Sequence, residues 1–330
     1  MDSLKRDILT ALLLGLVVPG LLLNFGTMVL EKREVPIPET TAAQETEPET
    51  VSLPVLVRRG ETITLEDMDD YLVGVVLAEM PATFEPEALK AQAVAARTYA
   101  RKAWETGGKH GDGSVCQDPA CCQAYIAPED YFSQGGTEEG LEKVQLAVAQ
   151  TSGYVLTYAG ALIEATYFSC SGGSTEAAVA VWGTDYPYLQ AVESPGEDKA
   201  IHDRDTVSFS LADFQKRLGM ALDGAPAGWF REVSYTEGGG VEAMTIGEES
   251  FTGPQLRALL GLRSASFSVE VREDTIVITT RGYGHRVGMS QYGADAMAVQ
   301  GKDFCQILTH YYQGAELNRL EGELGLGIGN

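Results

Sequence analysis

The sequence predicts an α+β protein, with mixed helices and antiparallel strands forming a substrate cleft, a smaller inserted subdomain and an N-terminal transmembrane anchor. Three observations predict it. Amphipathic helical runs alternate with period-two hairpin patterns. A chain of 330 residues with 44% hydrophobic and 22% charged content can bury one large core or two modest ones. An uncharged apolar run near the start gives way to a segment rich in Pro, Glu and Thr.

That apolar run, from Ile8 to Leu30, is long enough to cross a bilayer, and no small-residue cleavage pattern follows it. Residues 1–31 are therefore read as a cytoplasmic tip and an uncleaved signal anchor. Lys5 and Arg6 before the span are matched by Lys32 and Arg33 after it, so charge alone does not orient it. Residues 32–52, including "EVPIPETTAAQETEPET", have the composition of an extended solvated linker. The folded part runs over 53–320, and 321–330 form a tail.

"TLEDMDDYLVGVVLAEM" places Thr64 and Asp67 at capping-box spacing before Leu65, Met68, Leu72, Val75 and Val76, which predicts a short amphipathic helix stopped by Pro81. Glu85-Pro86-Glu87 then start a second helix. Lys90, Arg97 and Arg101 fall on one face of it by spacing. The Gly-rich "TGGKHGDGSVCQDPACCQAY" is a loop, and "TEEGLEKVQLAVAQTSG" is a helix ending at Gly153. "YVLTYAGALIEATYFSCSGG" predicts a hairpin leading into a Gly-rich loop. Residues 206–280 form the subdomain: a helix at "SLADFQKRLG", strands around "GGG", a helix at "TGPQLRALLG" and the hairpin "SFSVEVREDTIVITTRG". The chain closes with "GYGHRVGMSQYGADAMAVQG", a Gly and aromatic loop entering helices.

The 47 acidic residues outnumber 24 basic ones for a net charge of −23, which argues against nucleic acid and for a neutral partner or one met by a local basic patch. Glu79 stands between apolar neighbours at the end of the first helix. Burial of such a group raises its pKa and keeps a proton available near neutral pH. The alternative is a helix-end Glu that pairs with Lys90 or Arg97. Tyr167, Ser169, Ser171 and Thr175 offer hydrogen bonds around Gly172-Gly173, and His285, Gln291 and Tyr292 do so on the last loop; exposed hairpin hydroxyls and a loop-fixing His are the alternatives. Cys170 is read as a packing residue and Cys305 as a buried helical residue. His110, Cys116, Cys121 and Cys122 supply the donors of a closed zinc site, with a disulfide from Cys116 to Cys121 or Cys122 as the alternative. Such a metal would be structural and would support the adjacent Gln123 and Tyr125, read as substrate-binding residues.

Three blocks, "GVVLAEMPATFEPEALKAQAVAARTYA", "YFSCSGGSTEAAVAVWGTDYPYLQAVESP" and "GYGHRVGMSQYGADAMAVQG", together resemble the stage II sporulation protein D family over about residues 54–318. The resemblance implies a membrane-anchored lytic transglycosylase with its catalytic domain outside the mother-cell membrane, facing the septum and forespore. Its substrate would be peptidoglycan glycan strands, preferably stripped of stem peptides, cut at the MurNAc-GlcNAc bond to 1,6-anhydroMurNAc ends during engulfment in endospore formation. It further implies Glu79 as the catalytic acid, Lys90 and Arg97 as orienting or lactyl-carboxylate-binding residues, and sugar-facing roles for the second and third blocks. It also implies a complex with the stage II sporulation proteins P and M, and a zinc in the cysteine loop, where a relative can carry His-Cys in place of Cys121-Cys122. Relatives that enhance a wall amidase leave open a second function, a non-catalytic glycan-binding amidase enhancer.

Overall fold

A computed structural model describes residues 50–197 and 200–321. The Ile8–Leu30 run lies outside the described residues, as do nearly all of the linker and tail. Among the described residues no helix is long and apolar enough to cross a membrane.

The first element differs from expectation. Thr62–Asp67 is a strand, β2, paired antiparallel with β1 (Pro54–Arg59) across a turn at Gly60. Thr62, Thr64 and Glu66 alternate with Ile63 and Leu65, and this period of two, with buried Val55 and Val57 on the partner strand, outweighs the helical reading of Thr64. Asp67 is the real cap: its side chain accepts from the Asp69 and Asp70 amides, and helix α1 (Met68–Glu79) follows. Its apolar face, Met68, Tyr71, Leu72, Val75 and Val76, is buried. Met80 turns extended before Pro81, so Glu79 is the last helical residue.

Helix α2 (Pro86–Thr106) begins at Pro86, as the sequence predicts, and stops at left-handed Gly107. It is the axis of the domain. Ala88, Ala91, Ala93, Ala95, Ala96 and Ala100 are buried, and these small side chains let several elements approach its backbone at once. Strand β3 (Ser114–Cys116) joins β1 in parallel. Short helix α3 (Pro128–Ser133) precedes α4 (Glu138–Gln150), which is capped by Thr137 and packs on α1 and α2. Strands β4 (Tyr154–Tyr158) and β5 (Ala161–Leu162) make the expected hairpin. Strand β6 (Tyr167–Phe168) and short helix α5 (Ala178–Trp182) complete this half.

A second hydrophobic core follows in sequence. Strand β7 (Arg204–Ser210), helix α6 (Leu211–Leu218), a 3-10 turn at Pro226–Gly228, and strands β8 (Phe230–Tyr235), β9 (Val241–Ile246) and β10 (Glu249–Thr252) come first. Helix α7 (Gly253–Leu260) and the hairpin β11 (Phe267–Arg272) and β12 (Thr275–Arg281) complete it. The two sheets run β10-β9-β8 and β11-β12-β7. They enclose Phe214, Trp229, Leu256, Ile276 and Ile278, separate from the core around α2.

The chain then returns. Strand β13 (Met289–Ser290) pairs in parallel with β6, Met289 opposite Tyr167, and helix α8 (Gln291–Val299) starts on the Ser290 cap. Helix α9 (Phe304–Tyr311) packs on α2, and β14 (Glu316–Arg319) adds to β4. The β6–β13 pairing is what brings the second and third sequence blocks to Glu79.

Candidate active site

Glu79 borders a cavity of about 650 Å³, within the range of about 300–1,000 Å³ usual for small-molecule sites. Three segments reach its carboxyl. The Ala124 amide donates to Oε1 at 2.8 Å, the Gln291 amide group donates to Oε2 at 3.3 Å, and the Tyr167 hydroxyl adds a bond. Burial is the largest influence and pushes the Glu79 pKa up, against the lowering effect of these three donors. The proton is thereby kept to a higher pH than on a free Glu, while the carboxylate left after its release still has donors to meet it.

The donors are themselves fixed. Gln123, 1% exposed, donates to the Tyr167 hydroxyl at 2.9 Å and accepts from Tyr71 at 3.4 Å. His285 lies between Phe168 and Trp182, with ring centroids 5.6 and 5.3 Å away. Its Nδ1 accepts from the Val287 amide at 3.1 Å, and it bonds the backbone of Tyr167. Burial lowers its pKa to about 4, so it is neutral at pH 7 and acts by holding this strand.

Other expectations are corrected. The Arg97 guanidinium is completely buried, paired with Asp69 at 2.8 Å and bonded to the carbonyls of Val148, Thr151 and Tyr154. It is a staple between α1, α4 and β4, out of reach of any glycan. Lys90 pairs with Glu87 at 2.6 Å, and Glu87 also accepts from the Phe304 amide, which fixes this pair at the α2–α9 junction outside the cavity. Ser171 and the Gly172 amide donate to Glu197, the Gly173 amide donates to Ser171, and buried Thr175 bonds the backbone of Val192. These groups close a turn and have no donor left for sugars. Tyr292 packs edge-on against Phe84 at 5.0 Å. Tyr125 stacks on Tyr71 and lines a neighbouring groove; it fits there because residue 74 is Gly, whose Cβ would come within 2.3 Å of the ring. Ser169 does line the cavity. Cys170 is fully buried, which fits a packing residue, whereas Cys305 is helical as expected but only partly buried.

The cavity also contains residues that sequence reasoning does not single out for the site: Trp182 and Tyr186 of the second block, with Glu164 and Arg257. Trp182 is 42% exposed and offers an aromatic face to a pyranose ring. Glu164 is a second carboxylate, but Lys102 holds it at 2.7 Å.

Along one wall runs the cysteine loop. Ligand atoms of His110, Cys116, Cys121 and Cys122 all lie within 4.8 Å of one another. The Cys121 and Cys122 sulfurs are 3.8 Å apart and lie 3.7 and 3.6 Å from His110 Nε2. Sulfur and nitrogen ligands of one tetrahedral ion are separated by roughly 3.5–3.8 Å. The five cysteines are unpaired, and this cluster could hold a metal ion. It would tie down the loop that continues directly into Gln123 and Ala124.

A family model described as stage II sporulation protein matches residues 59–158, which include Glu79 and the cysteine loop. The chain is 40% identical over 291 residues to stage II sporulation protein D of Bacillus subtilis (strain 168), covering 87% of this chain and 84% of that protein. It is 39% identical over 293 residues to the protein of that name in Bacillus amyloliquefaciens, with 87% and 85% covered. An amidase enhancer of Bacillus subtilis (strain 168) is 31% identical over 299 residues, 74% of this chain but 40% of that protein.

Proposed function

Because the chain belongs to the stage II sporulation protein D family, and so to the proteins of sporulation, we propose that it is a lytic transglycosylase of peptidoglycan glycan strands. The observation that carries this reading is Glu79: a half-buried acid, held by donors from three segments at the edge of a cavity with an aromatic rim. Glu79 gives its proton to the glycosidic oxygen as the bond from the muramyl C1 breaks. The C6 hydroxyl of the same sugar attacks C1, and its proton returns to Glu79. A 1,6-anhydro end and a free hydroxyl result, with no water consumed. The Ala124, Gln291 and Tyr167 donors stabilise the carboxylate between the two transfers. Glu164, the other carboxylate lining the cavity among the described residues, is paired with Lys102, and the intramolecular route needs no second carboxylate.

Mass spectrometry of peptide-stripped glycan incubated with the purified domain tests this. Anhydromuramyl ends are expected. Hydrated reducing ends would make it a hydrolase, and intact strands would favour the amidase enhancer, the reading that the 31% identical relative supports.

The same proposal includes zinc at His110, Cys116, Cys121 and Cys122, in a structural role, since four protein donors leave no open position. About one equivalent should accompany the purified domain, and chelation should lower its thermal stability and expose the 109–125 loop to proteolysis. Absence of metal together with two blocked thiols would replace zinc by the disulfide. The proposal divides the chain into an anchor over 1–31, a linker over 32–52, a catalytic domain over 53–320 with a subdomain at 206–280, and a tail at 321–330. The domain would lie outside the mother-cell membrane, in complex with the stage II sporulation proteins P and M, for septal wall degradation in engulfment. The uncharged Ile8–Leu30 run motivates this placement. Recovery of the full chain in the soluble fraction, free of both partners, would refute it.

A further inference from the structure

Among the described residues, two cations line the cavity, Lys109 and Arg257. Lys109 donates to the Cys121 carbonyl. Arg257, in the last turn of α7, has neither a hydrogen bond nor an ion pair from its side chain among the described residues. The nearby acid Asp205 is already taken by Arg263, which pairs with it at 3.5 Å and covers the ring of Tyr283 at 4.8 Å. A charge placed at a helix C-terminus for the dipole alone would keep its hydration by pointing into solvent. Arg257 instead lines the cavity that Glu79 borders, from the side of the second core, where burial lowers its pKa. A partly desolvated guanidinium with no carboxylate beside it is half of an ion pair.

We propose that Arg257 is a specificity-determining residue that pairs with a free carboxylate of the glycan, the lactyl group of a muramyl sugar bound beside Glu79. The inference rests on the glycan-cleaving reading above and adds to it the charge of the ligand. Among ordinary sugars of the glycan, the lactyl carboxylate is the anionic group, and it disappears when the lactyl group is joined to peptide through an amide. The chain as a whole, at −23, repels such a ligand, so attraction must come from cations within the cavity. Arg97 and Lys90, which spacing alone suggests for this task, are committed to Asp69 and Glu87. Arg257 also shows a use for the second core, since α7 is anchored in it through Leu256 and Leu260 while the adjacent Arg257 reaches the cavity wall.

The experiment measures binding in the non-cleaving Glu79→Gln background, with two probes of equal length: a GlcNAc-MurNAc oligosaccharide with free lactyl carboxylates, and the same compound with these capped as methylamides. With Arg257 present, the free acid should bind about ten- to a hundredfold tighter than the amide, the range of one charge-assisted contact. Arg257→Ala and Arg257→Gln should abolish that preference by weakening the free acid far more than the amide, and Arg257→Lys should restore part of it. Preference for the free acid persisting in both variants overturns the assignment while leaving the proposed function intact. Equal binding of the two probes with Arg257 present also overturns it. Failure of Glu79→Gln protein to bind either probe counts against the glycan-cleaving reading itself.

Discussion

Glu79→Gln should abolish glycan cleavage, by on the order of a hundredfold or more, with the fold preserved. The amide keeps the shape and can still accept from Ala124, but it has no proton to give to a glycosidic oxygen and cannot recover one. The same substitution should stabilise the protein at neutral pH. Burial raises the Glu79 pKa above the value of roughly 4.3 for an unfolded Glu, so the folded state binds this proton more tightly than the unfolded one. Stability is therefore lost as pH rises from the unfolded value through the raised folded one. Thermal denaturation should find mutant and parent alike near pH 4 and the mutant more stable at pH 7 to 8. Equal stability at both ends would mean that the acid is not held in a desolvated state. Wild-type cleavage by the mutant would remove Glu79 from the reaction.

Arg97→Ala should destabilise the domain by about 3–5 kcal/mol, the usual consequence of breaking a buried ion pair from one side. The loss strands three backbone carbonyls and leaves Asp69 without its partner. For a domain of this size the melting temperature should drop on the order of 10 °C. Lys90→Ala, at a more exposed pair, should cost less than about 1 kcal/mol. If Arg97→Ala folded normally and lost only its affinity for glycan, the buried staple would be refuted and a substrate contact restored.

The contrast between these two residues shows where the sequence is legible. Helical spacing correctly puts Lys90 and Arg97 on one stripe of α2, but spacing cannot say what covers a stripe. The alanines beside Arg97 admit neighbouring elements so closely that a guanidinium expected to reach the glycan is interior. Glu79 could be read because its context is local: apolar neighbours, a helix end and a following Pro. The hydroxyls of Ser171 and Thr175 look available for the opposite reason, since the groups that consume them, Glu197 and Val192, lie 26 and 17 residues further on. Arg257 lies outside the three blocks and Trp182 is an unremarked aromatic within the second, and only the packing of their helices directs them to the cavity. The hairpin at 267–281 and the turn of α2 at Pro86 were legible because alternation and proline geometry act over a few residues. Strand β2 was not, because its pairing with β1 outweighs a cap-like Thr64.

The three hydrogen-bond donors at Glu79 come from residues 124, 167 and 291, and the last arrives only after the whole second core has been spelled out in the chain. Chain order thereby becomes a safeguard. A nascent or clipped polypeptide ending before Gln291 contains the acid but lacks both α8 and the β13 strand that aligns Tyr167. Such a fragment lacks the Gln291 donor and the strand beside Tyr167, so the surroundings that hold the Glu79 proton are incomplete. On the proposed reaction, activity would therefore begin only once synthesis has passed residue 291.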